Sequence, residues 1–213
     1  MFEKELIEAI KKMKEQSPSR NFLESVDLSI NLRDINLQDP SKRFQIDVQL
    51  PNPVEKEVSI CILAEGAQLV EAQSVGAARV IDKDELENIS REPKIAKKLA
   101  QQYDFFLASA PLMPIIGRSL GKFLGPRGKM PKPIPPSASI EPLLQNYGST
   151  IQIRLRQSPV VQARIATVKM ENEAIRDNAV AVLRNVESRL EKGENNIRSV
   201  YIKTTMGPAV KVK

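Results

Sequence analysis

The apolar residues of this chain change period near residue 58, and that change limits the folds open to it. Ahead of it, Val26, Leu28, Ile30 and Leu32 alternate with Asp27, Ser29 and Asn31, and Phe44, Ile46, Val48 and Leu50 repeat the two-residue spacing. Alternation of this kind belongs to strands with one buried face. Val58-Ser59-Ile60-Cys61-Ile62-Leu63-Ala64 is instead almost continuously apolar, as in a strand covered on both faces of a parallel sheet. After residue 150 the alternation returns, with Ile151, Ile153 and Leu155 set against Gln152, Arg154 and Arg156.

The elements between these markers follow from spacing. Phe2, Leu6, Ala9, Ile10 and Met13 predict a helix that stops before Pro18, and the two strands after it are expected to pair antiparallel. In the middle, strands at 58–64, 78–81 and 103–108 alternate with helices at 67–75, 83–89, 93–102 and 111–123, which implies a parallel sheet with right-handed crossovers. Five prolines between Gly125 and Pro136 predict a loop, and a short helix follows at 140–147. Residues 160–168 read as a strand, 171–190 as a long amphipathic helix, and Val200 and Ile202 as part of a last strand closed by residues 204–208.

Neither end alone buries enough surface for a core, because each offers two strands and one helix. Together they predict a four-stranded sheet with helices on one face. The expected fold is α/β overall: a split β-α-β two-layer domain built from residues 1–57 plus 150–213, with a three-layer Rossmann-like α/β domain inserted at 58–149. Two chain crossings, near Glu55–Val58 and Gly148–Gln152, would then act as a double hinge.

Absent residue types exclude much chemistry. The chain has no His, one Cys and no Trp, so zinc sites, Cys-His dyads and Ser-His-Asp triads are ruled out. Cys61, inside an apolar run, reads as a small buried residue. The N-terminus opens with the mixed charge of Phe2-Glu3-Lys4-Glu5 rather than a signal peptide, and no apolar run spans a bilayer, so a cytoplasmic location is expected. The net charge is +6, and residues 150–213 alone carry twelve Lys and Arg against six Asp and Glu. A surplus gathered in one third of the chain suits a polyanionic partner.

Motifs narrow this further. Gly121-Lys122 and Gly128-Lys129 lack the upstream Gly and the following hydroxyl of a phosphate-binding loop, which weakens the alternative reading as a phosphate-handling α/β enzyme using residues 58–149. Arg118, Lys122, Arg127, Lys129 and Lys132 nonetheless suit secondary contacts to a phosphate backbone. Asp82-Lys83-Asp84-Glu85 reads as an acidic helix start, not a metal loop. Thr204-Thr205-Met206-Gly207-Pro208 combines hydroxyls, a flexible apolar side chain and a glycine. It is open to two readings, a surface that approaches a ribose edge or a strand-ending turn.

Three segments carry a resemblance. Residues 200–208, Val-Tyr-Ile-Lys-Thr-Thr-Met-Gly-Pro, resemble the closing signature of the large-subunit ribosomal protein L-one family. Leu124-Gly125-Pro126-Arg127-Gly128-Lys129-Met130-Pro131-Lys132-Pro133 resembles its central loop, and Asn21-Phe22-Leu23-Glu24-Ser25 its N-terminal recognition segment, in an archaeal-type setting. The resemblance implies a non-enzymatic structural protein of the large subunit that binds rRNA at the mobile stalk beside the tRNA exit site. It also implies repression of its own mRNA, contact with exit-site tRNA, a monomeric free state, and no cofactor, metal or membrane partner. Carried over by motif, the RNA-binding residues are Phe22, Glu24, Ser25, Thr205, Met206 and Gly207, with Lys203 and Thr204 beside them. Ser158, Gln162 and Arg164 come from the neighbouring strand. Asn21 stands where the family often has Lys, and Arg20 is the substitute for that contact.

Overall fold

The computed structural model describes residues 3–18, 20–54, 58–136 and 138–213. Along the chain the elements run α1 (Glu3–Gln16), β1 (Ser25–Leu32), β2 (Phe44–Gln49), β3 (Ile60–Leu63), α2 (Ala67–Ser74), β4 (Arg79–Ile81), α3 (Lys83–Arg91), α4 (Pro93–Gln102) and β5 (Phe105–Ser109). They continue with α5 (Met113–Ser119), α6 (Gly121–Leu124), β6 (Lys132–Ile134), α7 (Ile140–Gly148), β7 (Thr150–Leu155), β8 (Val160–Thr167), α8 (Asn172–Glu187), β9 (Ile197–Thr204) and β10 (Val210–Lys211). They divide into two compact units, Met1–Lys56 with Ser149–Lys213, and Glu57–Gly148. Phe2 and residues 55–57 of the first expected crossing lie outside the described residues.

The first unit is built around β1. Its inward residues Val26, Leu28 and Ile30 are fully buried, while the alternate positions stay half-exposed. β1 pairs antiparallel with β8 on one side and with β9 on the other, giving the order β10-β9-β1-β8. Because β8 and β9 both run against β1, they are parallel to each other, and β8–α8–β9 is a split β-α-β unit with a foreign strand in its gap. Helices α1 and α8 pack together and bury Leu6, Ile10, Met13, Ile175, Val182 and Val186 in the same core as the strands.

The expected pairing of β1 with β2 does not occur. A strand has two hydrogen-bonding edges, and both of β1's are taken. β2 pairs instead with β7, Phe44 opposite Leu155 through Gln49 opposite Thr150, as a separate two-stranded sheet. The predicted single four-stranded sheet is therefore a four-stranded sheet completed by β10, plus this ribbon, over one shared core.

The second unit is a parallel sheet of order β4-β3-β5-β6. Cys61, Leu63, Phe106 and Ala108 face α3 through α6, while Ile60, Ile62, Phe105 and Leu107 face α2 and α7, which makes three layers. Burial on both faces explains the unbroken apolar runs. It also pushes the Cys61 thiol up to about 12. Asp82 caps α3 by accepting the Glu85 N–H at 2.7 Å, in keeping with an acidic helix start.

Two expectations fail here. The helix expected at 111–123 is a short 3-10 turn followed by α5 and α6, with Leu120 between them. Ser119 Oγ donates back to the Ile115 carbonyl at 2.8 Å, and Gly121 lies two residues on, a combination that weakens helix continuity. The proline-rich loop also contains β6, with Pro133 opposite Ala108. Proline is tolerated because β6 is an edge strand, whose outer side needs no donor.

Candidate nucleic-acid interface

The ends of β1, β8 and β9 meet at one end of the first unit, and backbone bonds fix their approach. The Val168 N–H donates to the Glu24 carbonyl at 3.0 Å, and the Thr205 N–H donates to the Ser25 carbonyl at 3.0 Å. Thr205 Oγ1 adds a longer bond to the same Ser25 carbonyl, at 3.3 Å. The chain then turns, with the Gly207 N–H donating to the Thr204 carbonyl at 3.2 Å.

Buried polar groups hold this turn. Glu24 is 5% exposed, and its carboxylate accepts the Met206 N–H at 3.0 Å with the Arg20 guanidinium 3.7 Å away. The Thr204 and Ser17 hydroxyls are bonded at 2.9 Å, tying the end of β9 to the residue just past α1. A Cβ on Gly207 would run into both hydroxyls, and would lie 2.6 Å from Ser17 Oγ, so only glycine fits there. On this frame Phe22 and Met206 stand out, 55% and 60% exposed. Displaying large apolar side chains from a rigid bend is costly in water and suits a surface that meets a partner.

The half-exposed face of the four-stranded sheet continues the site. Asp27 lies between Arg164 of β8 and Lys203 of β9 as cross-strand partners, and Ser29 lies between Gln162 and Tyr201. Burial pushes the Asp27 carboxyl above the usual range, against the pull of Lys203 first and Arg164 second. Backbone pairing sets these three charges side by side next to the bend.

Most residues expected from the sequence therefore converge: Arg20, Phe22, Glu24, Ser25, Thr205, Met206 and Gly207 at the bend, and Gln162, Arg164 and Lys203 on the adjoining sheet face. Two differ. Thr204 is fully buried and its hydroxyl engaged, so it shapes the bend instead of facing outward. Ser158 lies near the far end of β1, where the Leu32 N–H meets the Pro159 carbonyl, about 20 Å along the strand from Ser25. Sequence reasoning missed Ser17, whose hydroxyl beside Pro18 read only as a helix end, and Asp27, which read only as an outward strand position.

The secondary cations lie in the second unit. Arg118 and Lys122 are exposed on α5 and α6, with the Lys122 ammonium 5.2 Å from the Phe123 ring centre. Arg127 donates to the Phe123 carbonyl at 3.0 Å and Lys129 to the Tyr103 carbonyl at 2.6 Å, so these two serve the fold of the loop. Lys132 is half-buried in β6. Among the described residues no helix is long and apolar enough to cross a membrane.

A family profile described as the ribosomal protein L1p/L10e family matches residues 10–208. The chain is 45% identical over 210 residues to the large ribosomal subunit protein uL1 of Methanothermobacter thermautotrophicus, covering 99% of each. It is 48% identical over 209 residues to the protein of that name from Pyrococcus horikoshii, covering 98% of this chain and 95% of the other. The Thermococcus kodakarensis protein of that name is 47% identical over 209 residues, covering 98% and 96%.

Proposed function

The chain belongs to the ribosomal protein L1p/L10e family, and from that membership we propose that it is a structural, non-enzymatic component of the large ribosomal subunit that grips large-subunit rRNA with its first unit. The grip is the bend of Phe22 and Met206 with the cationic sheet face beside it. In this reading the protein sits in the cytoplasmic ribosome at the mobile stalk beside the exit site, meets exit-site tRNA there, and represses its own mRNA by presenting the same surface to a similar RNA structure. The second unit adds weaker phosphate contacts through Arg118 and Lys122.

The observation that carries the reading is the Glu24–Met206 bond, which fixes the exposed Met206 to the segment that also displays Phe22, next to Arg164 and Lys203. A rigid bend with bare backbone at Gly207 approaches a ribose closely, and the flanking cations hold phosphates without reading sequence.

The test is a filter-binding salt titration of the full chain with a structured large-subunit rRNA fragment against random duplex. Selective binding to the fragment is expected. Arg164→Ala should lower the salt slope by about one counterion, while Thr205→Val weakens binding at an unchanged slope. Equal affinity for both RNAs would overturn the proposal.

A further inference from the structure

Phe22 does not project from a flat surface. It forms one wall of an open groove of about 540 Å³, together with Asn21 and Leu23. The rest of the lining comes from the end of α1 and the turn between β8 and α8, including Lys14, Pro18 and Lys169, and from Glu24 with its partner Arg20.

The groove has the chemistry of a small planar, anionic guest. Phe22 is the aromatic among the large apolar side chains left exposed in the described residues, and its ring offers a stacking face. Asn21 is exposed, and its amide has no hydrogen-bond partner among the described residues, leaving a donor and an acceptor side by side. Lys14 spends one N–H on the Met170 carbonyl at 2.7 Å and keeps two. Burial pulls the Lys14 ammonium below the ordinary lysine range, with Glu173 opposing, so an anion beside it would favour the charged form. Lys169 is exposed at the rim.

We propose that this groove receives one unpaired nucleotide turned out of the bound RNA: its base stacks on Phe22, the Asn21 amide reads the base edge, and Lys14 and Lys169 hold its phosphate. A base inside a helix has no free face to give Phe22, whereas unpaired bases stack on aromatic side chains and expose their edges. The assignment gives Asn21 a role of its own: a lysine there would add charge, but an amide can distinguish bases. This proposal rests on the rRNA-binding reading above.

The test uses the full chain and the rRNA fragment of the filter assay, with each unpaired nucleotide replaced in turn by an abasic residue. One position should cost the native protein about tenfold in affinity. The same abasic change should cost Phe22→Ala less than about twofold, because the stacking partner is already gone, while Phe22→Tyr retains the full effect. At that position, base substitutions should matter to the native protein and cease to matter in Asn21→Leu, with the salt slope unaltered. Lys169→Ala should lower the slope by about one. If the fragment binds and Phe22→Ala weakens it, yet no abasic position couples to Phe22, the groove holds no base and the proposal is overturned while rRNA binding stands. If the native protein does not select the fragment over duplex, both readings fall.

Discussion

Glu24 and Met206 are 182 residues apart in the chain, yet the carboxylate of one accepts the backbone N–H of the other at 3.0 Å. The bond sets the direction in which the Met206 side chain leaves the bend. Glu24→Ala leaves that N–H and the Arg20 guanidinium without their partner, and should destabilise the first unit by about 1–3 kcal/mol in urea melts. RNA affinity should fall more in Glu24→Ala than in Glu24→Gln, which keeps an acceptor. Equal losses in the two variants would show that charge, not the bond, is what matters.

Gly207 and Met206 separate shape from contact. Gly207→Ala places a Cβ against the Thr204 and Ser17 hydroxyls and should cost about 1–3 kcal/mol together with much of the RNA affinity. Met206→Ala removes an exposed side chain, so stability should stay within about 0.5 kcal/mol while affinity drops. A loss of stability in Met206→Ala matching that of Gly207→Ala would contradict this division.

Asn178, fully buried in α8, ties three backbone groups: its Oδ1 accepts the Asn52 N–H at 3.0 Å, and its Nδ2 donates to the Asn52 and Ile165 carbonyls at 2.9 and 2.8 Å. Asn178→Leu keeps the branched shape with bulkier ends and strands all three, so a loss of at least about 2 kcal/mol is expected by urea denaturation. RNA binding at temperatures well below the melt should be preserved, since Asn178 is fully buried and its amide is spent on backbone groups.

Asp27 makes stability depend on pH with a definite sign. Its carboxyl is raised above the ordinary value of 3.8, chiefly by burial, so the folded chain binds that proton more tightly than the unfolded one. The associated stabilisation is complete below the ordinary value and is lost as pH rises through the raised one. Thermal melts of Asp27→Asn should therefore gain on the native protein as pH climbs from about 3.5 and then run parallel to it. A variant that loses ground instead would mean that the attraction to Lys203 and Arg164 outweighs burial.

Much of the fold was readable from periodicity. Val26, Leu28, Ile30 and Leu32 announce β1, the unbroken run through Ile60, Cys61 and Ile62 announces a strand buried on both faces, and the Ala174–Leu190 spacing announces α8. Recognition motifs brought Phe22 and Met206 forward, and both stand exposed at the same bend. The burial of Thr204, the distance of Ser158 and the inward bonds of Arg127 and Lys129 were not readable, because each depends on which backbone lies alongside.

That difference has one physical origin. Apolar spacing along this chain determined which side of each element must leave water, since the hydrophobic effect acts on a residue's own side chain wherever the burial happens. It also determined that the two ends needed each other, as neither had enough apolar surface alone. Backbone N–H and C=O groups are alike at every residue, so nothing in the sequence told β1 to take β8 and β9 as neighbours and leave β2 to β7. Only the packed core, where α1 and α8 cover the sheet and each edge of β1 is used once, decided those partners, and with them the meeting of Glu24 and Met206.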